Sequence, residues 1–152
     1  MTYMAGTTPL PRAIRLAIEA HANATDKTGH PFIGHPMRVM AIFTYKYPLL
    51  AYEDNLAAIA LHDVVEDTET TLNDLAAAFP TNIVRTVDAL SRRAYETYFE
   101  YIDRIIAFGS PAIEMKLCDI SDNTDPRRAI EGESMAKRYN KAKNLLRGAL
   151  DG

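Results

Sequence analysis

Apolar residues recur along the chain mostly at helical spacing, and the alternation expected of a β-strand is hardly seen. Ile14, Ala17, Ile18 and His21 form one stripe of a first helix, with Pro9 and Pro11 suited to its entry. A loop, 24–34 (ATDKTGHPFIG), follows. His35-Pro36 reads as the start of a second helix, because proline is tolerated in a first turn. Val39, Ile42 and Phe43 share a face with His35, so this histidine points into the protein. A third helix is predicted from about Asp54 to Glu66, and a fourth begins near Thr71, which can cap it together with Asp74. Pro80 and Thr81 separate it from a fifth (82–93), and a sixth covers roughly Tyr95 to Phe108. Ser110-Pro111 reads as a cap followed by a proline at the first helical position, opening a seventh helix through about Asn123. The stretch from about Glu133 to Leu150 makes the last. The expectation is one all-α domain over residues 1–152, a compact bundle of about eight helices with no repeat, linker or low-complexity segment.

Two places break the apolar pattern with chemistry. The run Leu56–Leu61 ends in "HDVVED", a histidine and three carboxylates within six residues. On the seventh helix, Lys116, Asp119 and Asn123 fall within a narrow arc, while Ile113, Leu117 and Ile120 take a different face. A polar stripe beside an apolar one on the same helix predicts a wet cleft. His35, His62, Asp63 and Asp119 could meet there around one divalent ion. Two imidazoles and two carboxylates suit Mn²⁺, Fe²⁺ or Zn²⁺. Four protein ligands on a six-coordinate ion leave positions for water and substrate, as metal-assisted hydrolysis requires. The cation also offsets the repulsion among clustered acids.

Composition narrows the partners. With 152 residues, 47% of them hydrophobic, the chain has enough apolar material for a sizeable core, and its net charge of −3 advertises no nucleic-acid binding. The five basic residues of 137–147 read as a solvated helix face. Cys118 is the only cysteine, which excludes an internal disulfide, fits a reducing compartment and predicts a buried, small apolar role. No stretch approaches the ~20 apolar residues of a membrane span, and the first twenty residues lack the run of a signal peptide. A soluble, cytosolic protein is expected.

Other residues have simpler readings. His21 is expected to be a hydrogen-bonded core histidine, and His30 a loop or pocket-rim residue. Tyr95, Tyr98 and Tyr101 look like a helix packing face. The stretch 119–131 superficially suggests a calcium loop, but Thr124 replaces the required glycine and Ile130 the bidentate glutamate. That reading is rejected.

Four ordered segments carry a family likeness: "AIEAHANATDKTGHPFIGHPMRV" (17–39), "AAIALHDVVEDTETTLNDL" (57–75), "VDALSRR" (87–93) and "MKLCDISDN" (115–123). In these the chain resembles the HD-domain hydrolases of the RelA/SpoT type, especially the stand-alone small alarmone hydrolases. The resemblance implies an HD-domain helical bundle acting as a metal-dependent (p)ppGpp 3′-pyrophosphohydrolase. His35, His62, Asp63 and Asp119 match the family's metal ligands, usually for Mn²⁺. Glu66 and Asp67 match the acidic pair that positions or deprotonates water. Asn123 matches an asparagine that holds the nucleotide's sugar, Lys27 a basic residue at the substrate mouth, and Tyr139, more loosely, a residue bordering the pocket. Lys116 either contacts phosphate or runs along the helix to water.

The chain also departs from the family. Long alarmone hydrolases carry Arg-Lys where this chain has Asp26-Lys27, which predicts weaker reading of guanine. Asp125 stands where the family often has arginine. The sequence ends with the HD domain, so degradation rather than synthesis is expected. Two rivals remain: a phosphatase or pyrophosphohydrolase on another nucleotide, such as NADPH or an adenine alarmone, and a non-catalytic nucleotide-sensing HD module.

Overall fold

In the computed structural model, which describes residues 8–128 and 132–152, the helical periodicity resolves into nine α-helices and one 3-10 turn, with no extended sheet among the described residues. In chain order these are α1 (Pro9–Ala20), α2 (Gly34–Lys46), the 3-10 turn Pro48–Leu50, α3 (Glu53–Leu61), α4 (Val64–Asp67), α5 (Leu72–Ala78), α6 (Thr81–Leu90), α7 (Tyr98–Phe108), α8 (Ala112–Asn123) and α9 (Glu133–Asp151). The all-α expectation therefore holds. Ile130 of the rejected calcium loop and the first seven residues of the leader argument lie outside the described residues. No described helix is long and apolar enough to cross a membrane.

Helices α3 and α8 are the buried axes. α1, α2 and α6 pack against α3, and α2, α6, α7 and α9 pack against α8. The residues of α3 from Ala57 to Leu61 are all buried, as are those of α8 from Ala112 to Ile120. Alanine is frequent where helices meet: Ala13 and Ala17 are the buried residues of α1, and Ala57, Ala58 and Ala60 are buried on α3. Small side chains let α1 and α3 approach closely. This corrects one expected face, because Ile18 is left half exposed while Ala13, Ala17 and His21 turn inward.

The helix expected over 82–93 ends early, at Leu90, and three other boundaries differ from the sequence reading, each for a local reason. The third helix stops at Leu61, where the His62 amide donates to the Ile59 carbonyl in a tightened turn, and α4 resumes for one turn only. α7 starts at Tyr98 because Thr97 and Glu100 form a reciprocal capping box, like that of Thr71 and Asp74 at α5. Tyr95 consequently lies outside the helix and exposed, while Tyr98 and Tyr101 do pack together. At α8, Ser110 does not cap: the Ser110-Pro111 peptide is cis, Pro111 occupies the cap position, and the serine hydroxyl donates to Glu114 Oε1 at 2.7 Å.

The end of α6 is tied down from α7. Arg104 donates to the carbonyls of Asp88, Ala89 and Ser91, and the Tyr101 hydroxyl donates to that of Leu90 at 2.6 Å. These bonds satisfy carbonyls the helix itself leaves open. They also fix the backbone at Arg92, which matters for the site below.

Candidate functional site

The N-terminal turn of α2, the α3–α4 corner and the middle of α8 meet at one point. His35 Nε2 lies 2.9 Å from Asp119 Oδ1 and 3.3 Å from Asp63 Oδ2. His62 Nε2 lies 3.1 Å from Asp63 Oδ2 and 3.4 Å from Asp119 Oδ1. Donor atoms of His35, His62 and Asp63 all fall within 4.8 Å of one another, and Asp119 closes the group. The four residues expected to converge do so. The corner at His62 is what allows it, because a continuous helix would carry Asp63 round to another face.

The donor set fits a divalent cation. His62 Nδ1 faces the Ile59 carbonyl at 2.7 Å, so it carries the ring proton. His62 Nε2 is then a buried nitrogen aimed into the cluster, where only the carboxylates of Asp63 and Asp119 face it, at 3.1 and 3.4 Å. A divalent cation would accept its lone pair and bind the same carboxylates. Without one, protons do the work. Burial lowers the pKa of His35, but hydrogen bonds to Asp119, Asp122 and Asp63 outweigh it and raise the value to about 11. For His62, burial again opposes, and the charge of Asp63 leads the terms that raise it to about 10. Burial pushes Asp63 and Asp119 up, but the charge of His62 for the first, and of Lys116 for the second, holds each carboxyl below the usual range.

Glu66 and Asp67 lie on α4, the turn that follows His62 and Asp63, and Asp67 faces a surface hollow shared with Asn23 and Thr68. Glu66 accepts a hydrogen bond from the Arg92 backbone N–H, the position fixed by the α6–α7 ties. Its pKa is raised, chiefly by burial. Asp67 is raised to about 6, by burial and then by the charge of Asp63. A carboxylate with a pKa near neutrality is suited to taking a proton.

Lys116 settles between its two readings in an unexpected place. Its ammonium is buried, donates to Asp119 Oδ2 at 2.6 Å and sits over the Tyr101 ring at 5.0 Å. It neither runs out to water nor lines the neighbouring cavity. Asn123 Nδ2 holds the other oxygen of Asp119 at 3.2 Å, so both α8 polar neighbours orient this carboxylate.

A cavity of about 270 Å³ opens beside His35, lined among others by Asp26, Lys27, Phe32, Asn123 and Tyr139. Lys27, Asn123 and Tyr139 therefore share one space, and Tyr139 packs edge-on against Tyr98. Asp26 does not project a bare charge into it. Its carboxylate accepts from the Thr28 amide at 2.9 Å, the Thr28 hydroxyl at 2.7 Å and the His30 amide at 3.0 Å. These bonds, the Thr28 hydroxyl first, lower its pKa to about 2. The acid is the keystone of its own turn, where Gly29 takes a φ of 84°.

The sequence reading missed Asp122, Arg38 and Arg128. Asp122 Oδ2 lies 2.7 Å from His35 Nδ1, and Asp122 Oδ1 accepts from Arg38 Nε at 2.9 Å and pairs with Arg128 Nη2 at 2.7 Å. Arg38 is one turn beyond His35 on α2, and Asp122 one turn beyond Asp119 on α8, a spacing that carried the signal. His21 is buried as expected, but neither ring nitrogen has a hydrogen-bond partner; burial lowers its pKa, and Phe32 packs against it at 4.7 Å. His30 is exposed in the loop, and Cys118 is buried with its thiol raised to about 12.

A helical bundle with a His and His-Asp cluster at its centre is the arrangement of the HD domain, and residues 13–110 match that family. The chain belongs to the HD domain family. It is 30% identical over 144 residues to the bifunctional (p)ppGpp synthase/hydrolase SpoT of Escherichia coli K12, covering 90% of this chain and 20% of that protein. It is 34% identical over 87 residues to guanosine-3′,5′-bis(diphosphate) 3′-pyrophosphohydrolase MESH1 of Danio rerio, covering 56% of this chain and 48% of the relative. The chain thus spans about a fifth of the first relative's length and about half of the second's. Among solved structures, one described as a metazoan ortholog of SpoT that hydrolyzes ppGpp superimposes with a TM-score of 0.73 at 23% identity, covering 98% of this chain and 90% of that one.

Proposed function

We propose that the chain is a divalent-metal-dependent hydrolase that removes the 3′-pyrophosphate of guanosine-3′,5′-bis(diphosphate) or a close relative of that nucleotide, working in the cytoplasm. The observation that carries this reading is the convergence of His35, His62, Asp63 and Asp119, with the buried His62 Nε2 aimed into the cluster and Glu66 and Asp67 on the next turn, α4. The names of the relatives supply the substrate class. His35, His62, Asp63 and Asp119 would hold the ion, with Mn²⁺ our choice among the metals this donor set suits. When bound, such an ion makes water more acidic and offsets charge on phosphoryl oxygens.

The chain's own groups do the rest. Asp67 accepts the proton from the attacking water, and Glu66, anchored on the Arg92 amide, orients that water for in-line attack on phosphorus. Asn123 and Lys116 keep Asp119 turned inward. Lys27, Arg38 and Arg128 outnumber Asp26 and Asp122 in the lining of the adjoining cavity, which leaves a net positive charge for a polyphosphate, and Tyr139 offers an aromatic wall. The test is purified chain against a panel of guanine and adenine nucleotides and NADPH, with Mn²⁺ and after chelation. Metal-dependent release of pyrophosphate from the guanine 3′,5′-bis(diphosphate) is the expected result. Release of orthophosphate alone would instead favour a nucleotide phosphatase, and binding without turnover a sensor.

A further inference from the structure

The contacts of Asp122 exceed what a pocket-lining acid requires. It is only 2% exposed, and both its oxygens are committed. Oδ2 lies 2.7 Å from His35 Nδ1, while Oδ1 takes Arg38 Nε and Arg128 Nη2 at 2.9 and 2.7 Å. Arg128 Nη2 also donates to the Asp122 carbonyl at 2.6 Å, so side chain and backbone of this residue are gripped together. On the far side of the same ring, His35 Nε2 faces Asp119 and Asp63.

We propose that Asp122 is a positioning residue for the metal centre, fixing the His35 ring with its proton on Nδ1 and its lone pair at Nε2 toward the cluster. Arg38 and Arg128 hold the carboxylate in place. This rests on the metal-site reading above. An imidazole that binds a cation through one nitrogen needs its other N–H engaged, or the ring is free to turn or to carry its proton on the wrong atom. A carboxylate in that position also makes the ring a stronger donor. A lone buried carboxylate beside Asp63 and Asp119 would add repulsion, and the two guanidiniums offset it. Both arginines, Asp122 and His35 itself line the 270 Å³ cavity, so the carboxylate and the ring it positions face the same space.

The test measures the Mn²⁺ dissociation constant by electron paramagnetic resonance for the parent chain, Asp122→Asn and Arg38→Gln. Asparagine keeps the shape but presents either an uncharged acceptor or a donor that drives the proton to Nε2. Asp122→Asn is expected to weaken Mn²⁺ binding roughly 10–100-fold. Arg38→Gln, which leaves the Asp122 to His35 contact, should weaken it by clearly less. Because Asp122→Asn removes charge from a buried network, a second reading uses the unaltered protein. With Zn²⁺ bound, ¹⁵N-histidine NMR should show His35 protonated at Nδ1, its proton shifted far downfield by the carboxylate. Parent-like affinity in folded Asp122→Asn, or His35 unprotonated at Nδ1, overturns the inference while leaving the metal site intact. A parent chain that binds no Mn²⁺ overturns the metal reading and this inference with it.

Discussion

On the inner side of the site His62, at the α3–α4 corner, and Asp119 and Asp122, on α8, lie almost wholly out of water among apolar residues, whereas on the outer side Asp26, Lys27 and Thr28 occupy a largely exposed loop held by its own hydrogen bonds. An inner charge has no solvent to turn to, so each must find its partner in the protein, and its position is set by several contacts at once. An outer charge is screened, and its side chain is free to serve the turn it sits in. Substitutions inside should therefore act nearly all-or-none, and those outside in graded steps.

The largest effect is expected from Asp119→Ala. It removes the carboxylate shared by both histidines and strands the buried Lys116 ammonium, a loss of about 3–5 kcal/mol of stability for a broken buried pair. Hydrolysis should vanish and metal content fall to background by elemental analysis. Full metal content in the folded variant would remove Asp119 from the ligand set. Next comes Glu66→Gln, which leaves the four ligands untouched. It should retain metal but lose turnover by a factor on the order of 10²–10⁴. Near-parental kcat would make Glu66 a structural anchor for Arg92 and leave Asp67 as the sole acid in the reaction.

The pH dependence separates the metal-free from the loaded protein by sign. In the metal-free chain, His35 and His62 have pKa values raised from 6.5 to about 11 and about 10. Their contribution to stability is fully present below pH 6.5 and is lost as pH rises through 10 and 11. Metal binding must displace those protons, so Mn²⁺ affinity should rise with pH, about tenfold per unit for each proton displaced. Thermal unfolding with and without Mn²⁺ across pH 6–9 reads both trends. Parallel curves would show that the histidines do not exchange protons for metal.

The smallest effects belong to the loop. Asp26→Ala deletes the acceptor of three hydrogen bonds at the cavity mouth and should raise KM roughly threefold to tenfold with kcat little changed. Asp26→Asn, which can still accept from Thr28, should stay near the parent. If instead Asp26→Asn and Asp26→Ala act alike, the charge itself, not the turn, is what the nucleotide meets.

The same contrast explains what the sequence disclosed. The metal cluster was legible because helical periodicity is regular: an inward-facing His35, a His62-Asp63 pair ending an apolar run and a polar stripe through Asp119 could be placed without coordinates. The break after Leu61 was not legible, since it depends on the Ile59 carbonyl receiving both the amide and the ring of His62. Asp122 was overlooked because its neighbours in sequence already had roles, and its partners Arg38 and Arg128 lie on other segments. In the sequence Asp26 stands out only as an acid where the family has arginine, and nothing there shows that its bonds run within its own turn. Periodicity locates a residue on a face, but which partner ends a hydrogen bond is decided by tertiary packing.

Under the proposed function this buried cluster, loaded with a divalent ion, cleaves the 3′-pyrophosphate as a unit. Phosphorus NMR of guanosine-3′,5′-bis(diphosphate) incubated with the Mn²⁺-loaded chain follows that cleavage bond by bond. Pyrophosphate and guanosine diphosphate should appear together in equal amounts, and neither after chelation. Orthophosphate as the first product, or an unchanged spectrum from a chain carrying its full complement of Mn²⁺, would contradict it.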